Sequence, residues 1–215
     1  MMRIAAVVAV SVLVAACSHT VDGGPASTQT TPRTTTATAA TGTPPPAGVA
    51  PAAGSPIAAV IAWIEAGRPA DPGRYRLGAD TAFSAPGNKT RCTTDTAHTP
   101  GGLSCLVQLA SPPPRPETAY GEWKPGWVDF DGTNLWVGAA RADPGPFLAG
   151  TGTELANGDS LSFNDYRCRA DQAGVFCVNY ARQSAARFGA AGVQPYGCLR
   201  SVPPPDGIGI AFNCS

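Results

Sequence analysis

The sequence predicts a mainly β protein: a small antiparallel sandwich or barrel-like domain held by three disulfides, with one N-terminal helix. Turn-forming residues are abundant, with 25 Gly and 22 Pro, and this composition disfavours long helices. Short apolar runs alternate with turn signals, and six cysteines stand where disulfides could close hairpins or loops. The formal net charge of +0 gives no reason to expect nucleic acid as a partner.

Residues 163–180 carry the strongest single signal, a hairpin closed by a disulfide. If Ala170 faces Val175 across a four-residue loop, Cys168 lies opposite Cys177 on the same sheet face.

A related unit precedes it, in which Arg91-Cys92 matches Arg167-Cys168 and Gly102-x-x-Cys105 matches Gly174-x-x-Cys177. The two units are either a pseudo-repeat or the same local solution reached twice.

The chain has seven cysteines. One of them, Cys17, has a separate role, described below. The other six form an even set in a chain with an export signal, which predicts three bridges. We expect sequential pairing, because each pair then closes a local loop: Cys92 with Cys105, Cys168 with Cys177, and Cys198 with Cys214. Free or metal-binding thiols are the alternative, but no Cys-x-x-Cys occurs and His19 and His98 are the only histidines. We therefore expect no metal and no cofactor.

Residues 1–16 are typical of an export signal, with Arg3 ahead of an apolar run that is too short to span a bilayer. Leu13-Val14-Ala15-Ala16-Cys17 resembles a bacterial lipobox. That resemblance implies cleavage before Cys17 and acylation of its thiol and amino group with palmitate-type chains, which would hold the protein on the membrane. The expected location is the outer face of the cytoplasmic membrane or the cell envelope. An ordinary cleavage site followed by a chance cysteine is the alternative.

Residues 17–54 predict a lipid-bearing cysteine followed by a disordered tether rich in Thr, Pro and Ala, because this composition buries too little apolar surface to fold. Residues 55–215 predict one disulfide-stapled β domain. Its N-terminal segment 55–67 predicts the helix, with Ser55 as the cap and one buried face formed by Ile57, Val60, Ile61 and Ile64.

Further along, Asp131-Gly132 between two apolar runs predicts another hairpin. Residues 181–191 fit either a short helix or a loop that leads into a strand at Arg187-Phe188. The alternation at Ile208–Phe212 predicts an edge strand.

A family resemblance rests on four short motifs: Phe83-Ser84-Ala85-Pro86-Gly87-Asn88 before Cys92 and Cys105, then Trp123-Lys124-Pro125-Gly126, then Leu155-Ala156-Asn157-Gly158 before Cys168 and Cys177. In these motifs the chain resembles a group of exported actinobacterial proteins, many of them mycobacterial lipoproteins of unassigned function. The resemblance implies a disulfide-stapled, mainly β extracytoplasmic domain and carries over no catalytic residue. The chain departs from the group at residues 179–182, where Gly-His-Gly-Phe is usual, and in its additional Cys198 and Cys214.

Five aromatic residues lie within positions 120–136, and four of them are candidate ligand-binding residues: Tyr120, Trp123, Trp127 and Trp136; the fifth is Phe130. An exposed subset could stack on the sugar rings of a cell-wall glycan or contact an envelope protein, whereas a buried subset would simply be core. The favoured interpretation is a non-catalytic binding or accessory module of unknown ligand.

The alternative is an envelope hydrolase with an acidic or His98-centred site. Asp129 and Asp131 stand two positions apart and would share a strand face, as a glycosidase pair might, although Asp131 suits the turn better. His98 lies in the loop of the first hairpin, and no Gly-x-Ser-x-Gly motif occurs. A cleft with two carboxylates, or a hydroxyl within reach of His98, would favour the enzyme. Tryptophans on an open face would favour binding.

Overall fold

The structure is a computed structural model that describes residues 48–141 and 144–215. The predicted signal peptide 1–16, the predicted acylation site Cys17 and the tether as far as residue 47 lie outside the described residues. In the part that is described, no helix is long and apolar enough to cross a bilayer.

The described residues form one α-helix, α1 (Ile57–Glu65), and fifteen strands. In chain order the strands are β1 (Arg68–Pro69), β2 (Arg76–Leu77), β3 (Asp80–Ser84), β4 (Thr90–Asp95), β5 (Thr99–Val107), β6 (Trp123–Phe130), β7 (Asn134–Ala140), β8 (Thr153–Glu154), β9 (Asp159–Phe163), β10 (Tyr166–Asp171), β11 (Gly174–Asn179), β12 (Ser184–Gly189), β13 (Gly192–Gly197), β14 (Arg200–Val202) and β15 (Ile208–Asn213).

These strands make two mainly antiparallel sheets. The six-stranded sheet has the order β1-β9-β10-β11-β12-β13, and the nine-stranded sheet has the order β14-β15-β7-β6-β5-β4-β3-β2 with β8 also beside β3. Their inner faces share one apolar core, in which Phe83 lies 5.8 Å from Phe163 and Phe130 lies 6.3 Å from Phe188 between ring centroids. The predicted mainly β fold is confirmed as two packed sheets and not as a closed barrel.

The two disulfide hairpins lie in different sheets at equivalent positions. Cys168 is opposite Cys177 between β10 and β11, and Cys92 is opposite Cys105 between β4 and β5. A further strand flanks each hairpin on both sides, β9 and β12 in one sheet and β3 and β6 in the other. The similarity seen in the sequence therefore extends to four consecutive strands in each sheet.

Each of these four-strand units also receives a short parallel strand from the segment that leads into the other unit. β1, which precedes β3 in the chain, pairs with β9, with Arg68 opposite Asp159. β8, which precedes β9, pairs with β3, with Thr153 opposite Phe83. This reciprocal exchange connects the two sheets through backbone hydrogen bonds.

All three predicted disulfides are present, in the sequential pairing. Two of them close hairpins inside the shared core, where Cys168 and Cys177 are fully buried. The third is different, because Cys198 follows β13 of the six-stranded sheet and Cys214 follows β15 of the nine-stranded sheet. It links the connection between β13 and β14 to the end of β15, the strand that pairs with β14.

Helix α1 covers the outer face of the six-stranded sheet, with Val60, Trp63 and Ile64 packed on Phe176 and Tyr196. The predicted helix is confirmed, but its buried face includes Trp63 as well, whereas Ile57 and Ile61 are only partly buried. Ser55 was expected to cap it and does not. Pro56 occupies the N-cap position and no side chain bonds there.

The hairpin turn after β10 is tighter than predicted. Asp171 pairs with Gly174, so the loop has two residues and not four. The Asp171 carboxylate accepts a hydrogen bond from the Ala173 N–H at 3.0 Å, and this bond stabilises the tight turn.

The structure of two other segments depends on pairing with strands that are distant in the chain. Residues 184–189 form β12, so the alternative of a strand is correct for that part of 181–191. The strand at Ile208–Asn213 is present but is not an edge, because β14 pairs with its outer side. The segment after Cys198 thus supplies an edge strand that local alternation did not reveal.

Candidate functional site

The outer face of the nine-stranded sheet carries a polar row that crosses three central strands. Ser104 on β5 is opposite Asp129 on β6, and Asp129 is in turn opposite Trp136 on β7. Residues in such register point to the same face of a sheet. A hydroxyl, a carboxylate and an indole therefore stand side by side on the face that α1 does not cover.

Asp129 is the centre of this row. Its Oδ1 accepts hydrogen bonds from Ser104 Oγ at 2.7 Å and from Trp127 Nε1 at 2.9 Å. Its Oδ2 accepts a charge-assisted bond from Arg141, which follows β7. We call Ser104, Trp127, Asp129 and Arg141 the Asp129 cluster.

The two charged members of the Asp129 cluster remain accessible, since the side chain of Arg141 is 37% exposed and that of Asp129 is 24% exposed. The Arg141 guanidinium also lies 5.7 Å from the centroid of the Trp127 ring, within cation–π range. The backbone N–H of Arg141 donates to Glu122 O at 3.1 Å, which holds the residue beside the sheet. The charged pair is thus oriented by the protein and still open to a ligand.

Two cavities adjoin the Asp129 cluster. The small cavity, of about 140 Å³, is bounded by Phe130, Asp131, Asn134 and Trp136. The side cavity, of about 290 Å³, is bounded by Asp95, Trp127, Gly145 and Pro146. Thr99, Ser104, Asp129 and Arg141 line both. The Asp129 carboxylate and the Arg141 guanidinium therefore form the wall that these two spaces share.

Asp131 also borders the small cavity, so two carboxylates do line one cleft there. However, Asp131 Oδ1 accepts the backbone N–H groups of Thr133 at 2.7 Å and Asn134 at 2.6 Å, and its Oδ2 accepts Asn134 Nδ2 at 2.9 Å. It serves the turn between β6 and β7, as the Asp-Gly signal suggested.

His98 is paired with a carboxylate at the surface. Its Nδ1 lies 2.9 Å and 3.0 Å from the two carboxylate oxygens of Asp95, and its side chain is 81% exposed. Among the described residues, no hydroxyl is hydrogen-bonded to the His98 ring. Asp95 does line the side cavity together with Asp129, so that cavity also contains two carboxylates.

The candidate aromatic residues occupy very different environments. Tyr120 is 88% exposed, whereas Trp127 is only 3% exposed and lies edge-on to Phe147 at 5.4 Å, and Phe130 is core. Trp123 is half-buried, with its ring against Gly138. Trp136 is half-buried and lines the small cavity. Trp127 therefore does not lie on an open face, while Trp136 and Tyr120 present accessible ring surface.

The sequence did not single out Ser104, Thr99, Asn134 or Arg141 as site residues. Ser104 follows the apolar Leu103 and precedes Cys105, and this alternation shows that it faces away from the core. No comparable signal marks Arg141, which lies beyond the end of β7. Its place at the site depends on how β6 and β7 pair.

Among residues 48–141 and 144–215, no group of three or more His, Cys, Asp or Glu side chains is placed so that it could hold a metal ion. Comparisons with protein-family models, with curated proteins and with solved structures find no match for this chain.

Proposed function

We propose that this protein is a lipid-anchored envelope module that binds a carbohydrate through the Asp129 cluster without transforming it. The observation that carries the proposal is the juxtaposition of a pre-oriented Asp129–Arg141 pair with the half-buried ring of Trp136 at one small cavity. A planar acceptor and a planar donor, placed beside an aromatic face, match a sugar ring, which has hydroxyls at its rim and C–H groups on its faces.

Counting hydrogen bonds supports this role for Asp129. An ionised carboxylate has about four acceptor positions. Asp129 uses three of them, for Ser104, Trp127 and Arg141. About one position therefore remains for a ligand hydroxyl. Arg141 has about five N–H donors, and among the described residues Asp129 is the one hydrogen-bond partner of its side chain. The remaining N–H groups can donate to ligand oxygens.

The same contacts argue against a catalytic role for these carboxylates. A general base or nucleophile needs an oxygen directed at the reacting atom. Each oxygen of Asp129 already accepts a hydrogen bond from a protein donor, which leaves about one acceptor position to hold a ligand hydroxyl, and Asp131 is committed to its turn. The hydrolase alternative rests on the presence of Asp95 and Asp129 in the side cavity, and it requires that the bound ligand be cleaved.

The first prediction concerns the Asp129 carboxylate. Asp129→Asn keeps an oxygen that can accept from Ser104 and Trp127 but removes the charge that orients Arg141, so we expect affinity for a neutral sugar to fall about tenfold. The measurement is titration of the folded domain with a panel of neutral mono- and disaccharides, followed by NMR. Asp165→Asn is the matched control, because Asp165 is exposed and lies in the other sheet, between β9 and β10. We expect this control to bind like the unmodified protein.

Two outcomes would contradict the proposal. If no sugar in the panel shifts the NMR resonances of Trp136 and Arg141, a carbohydrate is ruled out as the ligand. Release of cleaved products from a disaccharide, lost in both Asp95→Asn and Asp129→Asn, would establish the hydrolase instead.

The lipid anchor has its own test, the intact mass of protein extracted from membranes. The lipobox at Leu13–Cys17 is the basis for the anchor, and the three disulfides agree with an oxidising, extracytoplasmic location. We expect the mass of a chain that starts at Cys17 and carries diacylglycerol and further acylation, with six cysteines alkylated only after reduction. A lipid-free chain with free thiols would overturn both the anchor and the location.

A further inference from the structure

A third cavity also meets the Asp129 cluster, at Arg141. This loop cavity, of about 590 Å³, is bounded by Glu117, Thr118, Tyr120, Asp206 and Ile208, and its wall toward the Asp129 cluster is Arg141. Arg141 thus lines the small cavity, the side cavity and the loop cavity at once. The three spaces are neighbours around a single guanidinium.

The walls of the loop cavity are held by hydrogen bonds between segments distant in the chain. Gly207 N donates to Thr118 Oγ1 at 3.0 Å, and Ala140 N donates to Gly207 O at 3.4 Å. Arg115 donates to Ala119 O at 2.7 Å. The first bond ties the segment before β6 to the segment before β15, the second ties the segment before β15 to the end of β7, and the third is local to the segment before β6.

Tyr120 stands at the rim of this recess with most of its ring in solvent. It is 88% exposed, whereas its neighbour Ala119 is 4% exposed and packed into the protein. The backbone at this point is thus anchored while the aromatic ring projects outward. An anchored, exposed aromatic ring is suited to stacking on a flat ligand unit.

The charges around the three cavities disfavour an anionic ligand. Glu117 and Asp206 line the loop cavity, and three aspartates line the other two: Asp95, Asp129 and Asp131. Arg141 is the cation among these lining residues, and it is already paired with Asp129. Like charges brought together across a binding site reduce affinity, so an uncharged ligand fits best.

The position on the sheet disfavours an extended peptide. Peptides that add to a sheet need the free backbone groups of an edge strand. The row formed by Ser104, Asp129 and Trp136 crosses β5, β6 and β7, each of which has a paired strand on both sides. A peptide cannot therefore bind over this row by adding a strand to the sheet.

We propose that the small cavity, the side cavity and the loop cavity are successive subsites for one linear, uncharged glycan, with Arg141 at their junction and Tyr120 as the outer stacking platform. This inference rests on the proposed function and extends it from a single sugar to a polymer. Each of the first two cavities is smaller than the range of about 300–1,000 Å³ usual for a ligand pocket, which agrees with one sugar unit at each place.

The test is the dependence of affinity on chain length, for linear oligomers of glucose, mannose and N-acetylglucosamine from one to six units. For the unmodified domain we expect affinity to rise about tenfold or more between one unit and four units, because the longer chains reach the loop cavity. In Tyr120→Ala we expect this rise to be largely lost while the affinity for the single sugar is unchanged. Tyr120→Phe, which keeps the ring, should behave like the unmodified protein.

The results separate this inference from the proposed function. Two results would contradict the three-subsite inference while leaving the single-sugar site at Trp136 intact. In the first, single sugars bind at Trp136 but affinity does not grow with oligomer length. In the second, Tyr120→Ala lowers affinity equally for every length. If no sugar of any length binds, both are wrong. Preferential binding of acidic oligosaccharides would also overturn the inference, because the carboxylates of the groove would then be neutralised or distant.

Discussion

Replacing Cys168 and Cys177 together by alanine is expected to lower the free energy of unfolding by about 4 kcal/mol. Removing the cross-link frees a short loop in the unfolded chain, which accounts for about 3 kcal/mol in the chain-entropy model. A further contribution of about 1 kcal/mol comes from the void that two missing sulfur atoms leave in the core, since both residues are fully buried. Urea denaturation followed by tryptophan fluorescence measures the change.

The matched control is the double replacement of Cys198 and Cys214. This pair closes a loop of similar length, with a sequence separation of 16 against 9, but both of its residues are only half-buried. We expect the free energy of unfolding to fall by about 3 kcal/mol, from the loop-closure entropy alone. An unchanged unfolding midpoint for the Cys168–Cys177 double variant would refute the role of the disulfide. Equal losses for the two pairs would refute the packing contribution.

Gly152→Ala is expected to destabilise the protein by about 3 kcal/mol or more. Gly152 has a φ of +71°, and a Cβ atom there would lie 2.1 Å from both the carbonyl carbon and the oxygen of Ala82. The obstacle is the backbone of β3, which cannot move aside without breaking its pairing with β4. Relief would therefore require β8 to leave β3.

Gly78→Ala is the control variant, because it shows how much stability is lost to backbone strain alone, without a steric clash. Gly78 has a similar φ of +66°, but a Cβ there meets nothing within 4 Å. We expect a loss of about 1 kcal/mol, the usual cost of a left-handed conformation for an L-residue. If thermal unfolding shows equal losses for Gly152→Ala and Gly78→Ala, the close approach of β8 to β3 is not as the structure has it.

Sequence reasoning predicted the fold class, the disulfides and the register of the Cys168–Cys177 hairpin because the responsible interactions are local. Cys168 and Cys177 are nine positions apart on strands joined by a tight turn, so register and disulfide geometry follow from turn chemistry and the alternation of side chains. The Asp131 turn is local for the same reason. The helix was predicted from its periodicity, while its capping and the burial of Trp63 depend on the sheet beneath it.

The candidate site was only partly accessible to such reasoning. Trp127 and Trp136 are on the same outer face of the nine-stranded sheet, and the sequence made them equivalent candidates. The segment 144–149 covers Trp127 through Phe147 and leaves Trp136 at the small cavity. Which of two aromatics on one face is covered depends on where a distant segment lies, and no local pattern encodes that.

By itself, the sequence determined the mainly β class, the three bridges and the register of the Cys168–Cys177 hairpin, since turn residues, alternation and short cysteine spacings act over a few positions. Tertiary structure alone decided that the two similar hairpins lie in opposite sheets, that β1 and β8 are exchanged between them, and that Ser104 on β5 meets Asp129 on β6. The physical reason is that these contacts join segments far apart in the chain, and they form only when the packing of the two sheets offsets the entropy of bringing such segments together.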